Sequence, residues 1–208
     1  MSGTRRVSHA IVTLVFDDGV DRVVRLLHHT TQPVKVVAID GHSAAGKSTF
    51  AARLTERMPG AVVHGDDFYR VMDEDKRASL SPPEGAAQYY DWQRLRDEVL
   101  VPLRGGRPAR FRPYDWDTNA LADETVTIGP ERLIIVEGLF VSRLELAHLV
   151  DVMVLVCADT DVRWRRQLAR RDAGRQWLER WDAAERWYFE YVRPPESFDV
   201  LATDAGSP

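Results

Sequence analysis

The spacing of apolar residues along the chain changes period repeatedly, and each change predicts an element. Val34–Asp40 (V-K-V-V-A-I-D) is an almost continuous apolar run, the pattern of a strand buried on both faces. Between Thr49 and Met58 the apolar residues Phe50, Leu54 and Met58 recur four apart, which predicts a helix. Ala61–His64, Arg132–Glu137 and Asp151–Ala158 are further short apolar runs and read as core strands. Helical spacing returns in Trp92–Leu103, with Leu95, Val99 and Leu103 on one face, in a very basic segment from Asp161 to Asp172, and in Gln176–Val192. In the last of these, Trp177, Trp181 and Tyr188 form one stripe, which reads as core.

The remaining segments are less regular. Ala10–Phe16 predicts a strand, Asp17-Asp18-Gly19 a turn, and Val20, Val23, Val24 and Leu27 a helix that ends at Thr30–Pro33. Met72–Ala86, with Ser81-Pro82-Pro83-Glu84-Gly85, predicts a mobile loop. Arg110–Asp117 (R-F-R-P-Y-D-W-D) is aromatic and charged, unlike a plain connection. Thr125–Ile128 predicts an edge strand, and Phe198–Ala202 a short closing strand.

The junction between the first long strand and its helix carries the chemistry. Gly41-His42-Ser43-Ala44-Ala45-Gly46-Lys47-Ser48-Thr49 spells G-x-x-x-x-G-K-S-T. Glycines let backbone N–H groups curl around a polyphosphate, Lys47 adds a point charge on the outer phosphates, and the Ser48 hydroxyl can ligate Mg²⁺. The helix dipole favours the same anion. Strands alternating with helices around this loop predict an α/β fold of the P-loop NTPase type. The sheet should be doubly wound and mostly parallel, flanked by helices, with ligands at the carboxyl ends of its strands and a small helical lid near residues 161–176. Residues 34–208 are expected to form the domain, with residues 1–33 an extension packed on it.

Composition narrows the partners. The 208 residues carry a net charge of −4, which argues against a general nucleic-acid or anionic-membrane surface. The single cysteine, Cys157, lies in a predicted strand; a disulfide scaffold is excluded and a reducing cytoplasm is the expected compartment. No apolar stretch approaches membrane length. Self-association into a homo-oligomer is left open.

Three further groups fit phosphoryl transfer. Asp66, directly after the second strand, is placed to accept or orient the proton of an attacking hydroxyl, although Asp66-Asp67 also suits a helix N-cap and either acid could be the base. Glu137 closes an apolar strand, the pattern of an acid that holds Mg²⁺ directly or through water. Arg163–Arg171 holds five arginines in nine residues, with Arg163, Arg166 and Arg170 on one helical face; Arg166 and Arg170 are expected to offset charge on the transferring group from a closing lid. His28, His29 and His64 lack metal-ligand companions and receive no role. His42 is expected to point its side chain away from the phosphates.

With these residues together, the chain from about Val34 to Ala202 resembles the uridine kinase and phosphoribulokinase-like group of P-loop kinases. The resemblance rests on Gly41-x-x-x-x-Gly46-Lys47-Ser48, Asp66-x-Phe68-Tyr69-Arg70, Tyr114-Asp115-Trp116, Val136-Glu137-Gly138 and the arginine-rich lid. It implies ATP as donor, Mg²⁺, Asp66 as catalytic base, Tyr69 in the acceptor pocket and Glu137 at the metal. Arg112, Tyr114 and Asp115 join Tyr69 as expected acceptor contacts. Family members place a histidine that reads the pyrimidine where Asn119 stands, and an acid for the ribose hydroxyls near Gly85, flanked here by Glu84 and Asp91. The expected acceptor is a small molecule with a hydroxyl, foremost a nucleoside of the uridine or cytidine kind. The alternatives are a non-nucleoside alcohol (a vitamin precursor, sugar or antibiotic) and a nucleotide-binding regulator with slow hydrolysis.

Overall fold

A computed structural model describes residues 12–170 and 174–204, the side chain of Arg170 excepted. The chain begins with β1 (Thr13–Val15), α1 (Phe16–His28), β2 (Lys35–Asp40), α2 (Lys47–Arg57) and β3 (Ala61–His64). A 3₁₀ turn over Gly65–Phe68 leads to α3 (Glu74–Ser79) and α4 (Pro82–Gln88). A longer helical segment starts as α5 (Trp92–Arg94), widens to π-helix over Leu95–Leu100 and ends as α6 (Val101–Arg104). Four short strands follow: β4 (Ala109–Phe111), β5 (Tyr114–Asp115), β6 (Ala120–Leu121) and β7 (Val126–Ile128). The chain closes with β8 (Leu133–Glu137), β9 (Val152–Cys157), α7 (Thr160–Arg170), α8 (Arg175–Tyr191) and β10 (Val200–Thr203).

Six strands form one parallel sheet in the order β1-β10-β9-β2-β8-β3. The apolar runs explain the centre of it: β2 and β8 are buried on both faces, as strands between two helical layers must be. Val37 and Ile39 of β2 face α1 and α2, among Val20, Val23, Leu27, Phe50 and Leu54. Val36 and Ala38 face the opposite side, among Leu95, Val99 and Leu103. Helix α8 covers the rest of that side with Trp181, Tyr188 and Phe189. Deleting a side chain such as Leu54, fully buried between α2 and the sheet, is worth about 2–5 kcal/mol.

Three local expectations change, and a fourth segment gains its structure. Asp17-Asp18-Gly19 is no turn but the first turn of α1, where two carboxylates suit the helix dipole. Gly19 is there because a Cβ would lie 3.1 Å from both Ala202 and the Phe50 ring. The strand expected from Ala10 begins at Thr13, and residues 1–11 lie outside the described ones. Met72–Ala86 is not a loop: Asp73 caps α3 and a Ser81–Glu84 capping box starts α4, local bonds that apolar periodicity does not register. Arg110–Asp117 lies in two small antiparallel pairs, β4 with β7 and β5 with β6. The lid segment is described as far as Arg170 and again from residue 174.

Candidate active site

The site lies at the carboxyl ends of β2, β8 and β3. Asp40, the last residue of β2, is fully buried, and its carboxylate accepts N–H bonds from Gly41 (2.8 Å), Phe140 (3.0 Å) and Ser142 (3.0 Å). Burial raises its pKa above the ordinary value, and the Ser142 and Gly41 bonds work against that. This one carboxylate therefore ties the start of the phosphate-binding loop to the segment that follows β8. Gly41 takes φ +147° while passing β9; a Cβ there would sit 2.3 Å from the Val156 carbonyl oxygen.

The loop from Gly41 to Gly46 leads straight into α2, so the first N–H groups of that helix point out of its N-terminus. The Lys47 ammonium donates to the carbonyls of Gly41 (2.9 Å) and His42 (3.1 Å), which holds it over the loop. The Ser48 hydroxyl lies 3.2 Å from a Glu137 carboxylate oxygen. A hydroxyl and a carboxylate side by side at a helix N-terminus form an oxygen donor pair suited to a hard cation such as Mg²⁺. Glu137 also holds the His64 ring (2.7 Å). Burial alone would raise Glu137, but the His64 bond, Lys47 and Ser48 bring its pKa below the ordinary value. His64 is raised in turn, chiefly by that hydrogen bond. His64, given no role in the sequence, thus fixes the orientation of Glu137.

Across the sheet edge, Asp66 stands in the turn after β3 and accepts a hydrogen bond from the Tyr90 hydroxyl (2.8 Å). Asp67 is half-buried, and burial raises its pKa, a tendency that His64 opposes. Gly65 and Gly138 let the two strand ends approach: a Cβ on Gly138 would come 2.9 Å from the Gly65 Cα.

Beyond Asp66 the wall is aromatic. Tyr69 is buried, stacks on Trp116 (4.5 Å between centroids) and Trp181 (5.5 Å), and meets Tyr90 and Tyr114 edge-on. The Arg77 guanidinium lies 4.2 Å from the Tyr69 ring centre. The Tyr114 hydroxyl donates to Asn119 Oδ1 (2.8 Å), which also accepts from Arg77, while Asn119 Nδ2 donates to the Met72 carbonyl.

The structure thus brings Gly41–Thr49, Glu137, Asp66, Tyr69 and Tyr114 to one end of the sheet. Arg166 joins them by donating to the Ala44 carbonyl (3.2 Å). The side chain of Arg170 lies outside the described residues. Arg112 does not come to the aromatic wall: it is exposed, and its guanidinium bonds the Leu121 and Ala122 carbonyls and Asp123, bracing the β5–β6 pair. Asp115 bonds the Asp117 N–H (2.9 Å), a turn-forming contact. Arg163, grouped in the sequence with the lid arginines, is buried between Asp182 (3.6 Å) and Glu185 (3.8 Å) and joins α7 to α8.

The sequence pattern gave Tyr90 and Glu185 no role at the site, named Trp116 only within a family motif and assigned Trp181 to the core. Glu185 had a signal: an acid set within the apolar stripe Trp181, Ala184, Tyr188. Glu185 accepts from the Ser43 N–H (3.0 Å), the Ser43 hydroxyl and the His42 ring (3.0 Å). The His42 side chain accordingly leaves the loop and packs on Phe189.

Known proteins match the chain in family and in fold. The profile of the phosphoribulokinase / uridine kinase family matches residues 36–194. A protein of Deinococcus deserti named uridine kinase is 31% identical over 166 residues, covering 76% of this chain and 78% of its own. The structure described as a possible uridine kinase from Bacillus stearothermophilus superposes with a TM-score of 0.69 at 23% identity, over 89% of this chain and 98% of that one. D-glycerate 3-kinase from Cryptococcus neoformans shares the fold at a TM-score of 0.57 and 16% identity, over 86% and 87% of the two chains. With its phosphate-binding loop, strand-end acids and parallel sheet, the chain belongs to the phosphoribulokinase / uridine kinase family and is a phosphotransferase acting on a hydroxyl group.

Proposed function

We propose that the chain transfers the γ-phosphoryl group of ATP to a hydroxyl of a small molecule, foremost a nucleoside of the uridine or cytidine kind. One observation carries the reading. Asp66 is held by the Tyr90 hydroxyl at the end of β3, beside the strand whose Glu137 meets Ser48 of the phosphate-binding loop.

The roles follow from that placement. Backbone N–H groups of Gly41–Thr49 and the Lys47 ammonium bind the outer phosphates. Ser48 and Glu137 would hold Mg²⁺, which would supply positive charge to neutralise the phosphates. Asp66, fixed by Tyr90, orients the acceptor hydroxyl and takes its proton as the new O–P bond forms and the β–γ bridging bond breaks, releasing ADP. Arg166 and Arg170 offset charge on the transferring group. Tyr69 and Tyr114 form the acceptor wall with Trp116. The Deinococcus relative's name supports a nucleoside acceptor.

A second reading, a non-nucleoside alcohol, is favoured by Asn119. Its oxygen already takes two donors and its amide nitrogen is bonded to Met72, so it has little left with which to read a base. A coupled ADP-release assay across nucleosides, sugars and other alcohols separates the two, with the phosphorylated product identified by ³¹P NMR. Uridine- or cytidine-dependent ADP release supports the first reading. Release stimulated only by another alcohol moves the acceptor and keeps the chemistry. Hydrolysis that no acceptor stimulates sinks both.

A further inference from the structure

The phosphate-binding loop of this chain has no glycine among its four variable positions, His42-Ser43-Ala44-Ala45, and Ala44 adopts φ +59°. A non-glycine residue in that conformation persists only where its surroundings hold it. Arg166 donates to the Ala44 carbonyl itself, and the turn just before it is held by a group that reaches in from α8, far along the chain. Glu185 is 1% exposed, and its carboxylate takes the N–H and hydroxyl of Ser43 and the ring of His42, with the Arg163 guanidinium 3.8 Å away. Burial favours the neutral acid, but the His42 and Ser43 bonds outweigh it and keep Glu185 in the ionised range.

The same face of α8 makes two other contacts with the site. Four residues before Glu185, Trp181 stacks on Tyr69 (5.5 Å) and Tyr89 (4.6 Å) in the acceptor wall. Three residues after it, the Tyr188 hydroxyl reaches Asp40 and Ser142, the group that anchors Gly41. One rigid helix face therefore touches both ends of the leading half of the phosphate-binding loop and the floor under Tyr69.

We propose that Glu185 is a positioning residue that fixes the His42–Ser43 turn of the phosphate-binding loop and, through α8, couples occupancy of that loop to the acceptor wall at Trp181. The inference rests on the reading of Gly41–Thr49 as an ATP site and goes beyond it by assigning a route from that site to the acceptor. Because the turn is tied to Glu185, phosphates bound against the His42–Ser43 backbone bear on Glu185 and, one helical turn away, on Trp181. Glu185→Ala cuts the route and weakens MgATP about tenfold, the equivalent of one charge-assisted hydrogen bond.

The test uses the full chain labelled with 5-fluorotryptophan, with the Trp181 ¹⁹F resonance assigned by Trp181→Phe. MgATP is titrated to saturation, so that weaker binding does not mimic lost coupling. The expected result is a Trp181 shift in the native protein that is absent from Glu185→Ala at saturation, together with the tenfold loss of affinity. Ser43→Ala removes a donor from the loop side, leaves α8 intact, and answers the same question where Glu185→Ala does not fold; its Trp181 shift is expected to shrink. A Trp181 resonance that MgATP leaves unmoved in the native protein, or moves equally in the variants, overturns the coupling while ATP binding stands. Failure of the native chain to bind MgATP, read in the same titration, overturns the ATP site and the coupling with it.

Discussion

The two halves of the proposed site, one for the phosphoryl donor and one for the acceptor, are built by different means. The donor half is nine consecutive residues between β2 and α2, and its chemistry resides mainly in backbone N–H groups presented by a fixed strand–loop–helix geometry. The acceptor half is assembled from side chains of distant segments: Asp66 and Tyr69 after β3, Tyr90 before α5, Tyr114 and Trp116 at β5, and Trp181 on α8. Backbone geometry constrains a local sequence pattern tightly. A wall of stacked rings constrains only bulk and planarity, so it can change its ligand while the donor half stays the same.

The contrast is open to attack from the donor side first. Lys47→Ala removes the charge held over Gly41 and His42 and is expected to lower kcat by about 10²–10³-fold in a steady-state assay. Glu137→Gln loses the carboxylate beside Ser48; the Mg²⁺ concentration for half-maximal activity is expected to rise about 10- to 100-fold in a metal titration. On the acceptor side, Trp116→Ala strips one ring from Tyr69. It is expected to raise the acceptor KM roughly 2- to 10-fold and leave the MgATP KM in place, the signature of two separable halves. Equal changes in both constants would merge them.

The smallest expected effect concerns the His64–Glu137 pair. His64 is raised above its ordinary 6.5, so its contribution to stability is complete below that value and is lost as pH climbs through the raised one. Glu137 is lowered, so its contribution is present above its ordinary 4.5 and is lost as pH falls through the depressed value. Melting midpoints measured from about pH 6 to about pH 9 should therefore fall more for the native chain than for His64→Ala. Because the His64 side chain is largely exposed, the difference corresponds to about 0.5 kcal/mol or less. Parallel curves would remove His64 from the support of Glu137.

This division also explains what the sequence made legible. Apolar runs placed β2, β3, β8 and β9, because a strand between two helical layers has little freedom to be polar. The loop at Gly41–Thr49 and the acid at the end of β8 were readable for the same reason, as local patterns joined to predictable strands. Arg112 misled because charge beside an aromatic segment looks like a ligand contact, whereas its guanidinium braces the neighbouring strand. Residues 72–86 misled because α3 and α4 are held by caps and proline starts in a polar stretch, which has no apolar period to read. Glu185 and Trp181 touch the phosphate-binding loop and Tyr69 only because α8 packs against both, a tertiary fact that spacing along the chain does not encode.

Asp66→Asn tests the account most directly, with MgATP affinity and acceptor-dependent turnover measured on the same preparation. MgATP affinity is expected to stay within about twofold of native while turnover falls about 10²–10⁴-fold, the range of a lost general base. Native turnover in Asp66→Asn, or a loss of MgATP affinity as large as the loss of turnover, would contradict the account.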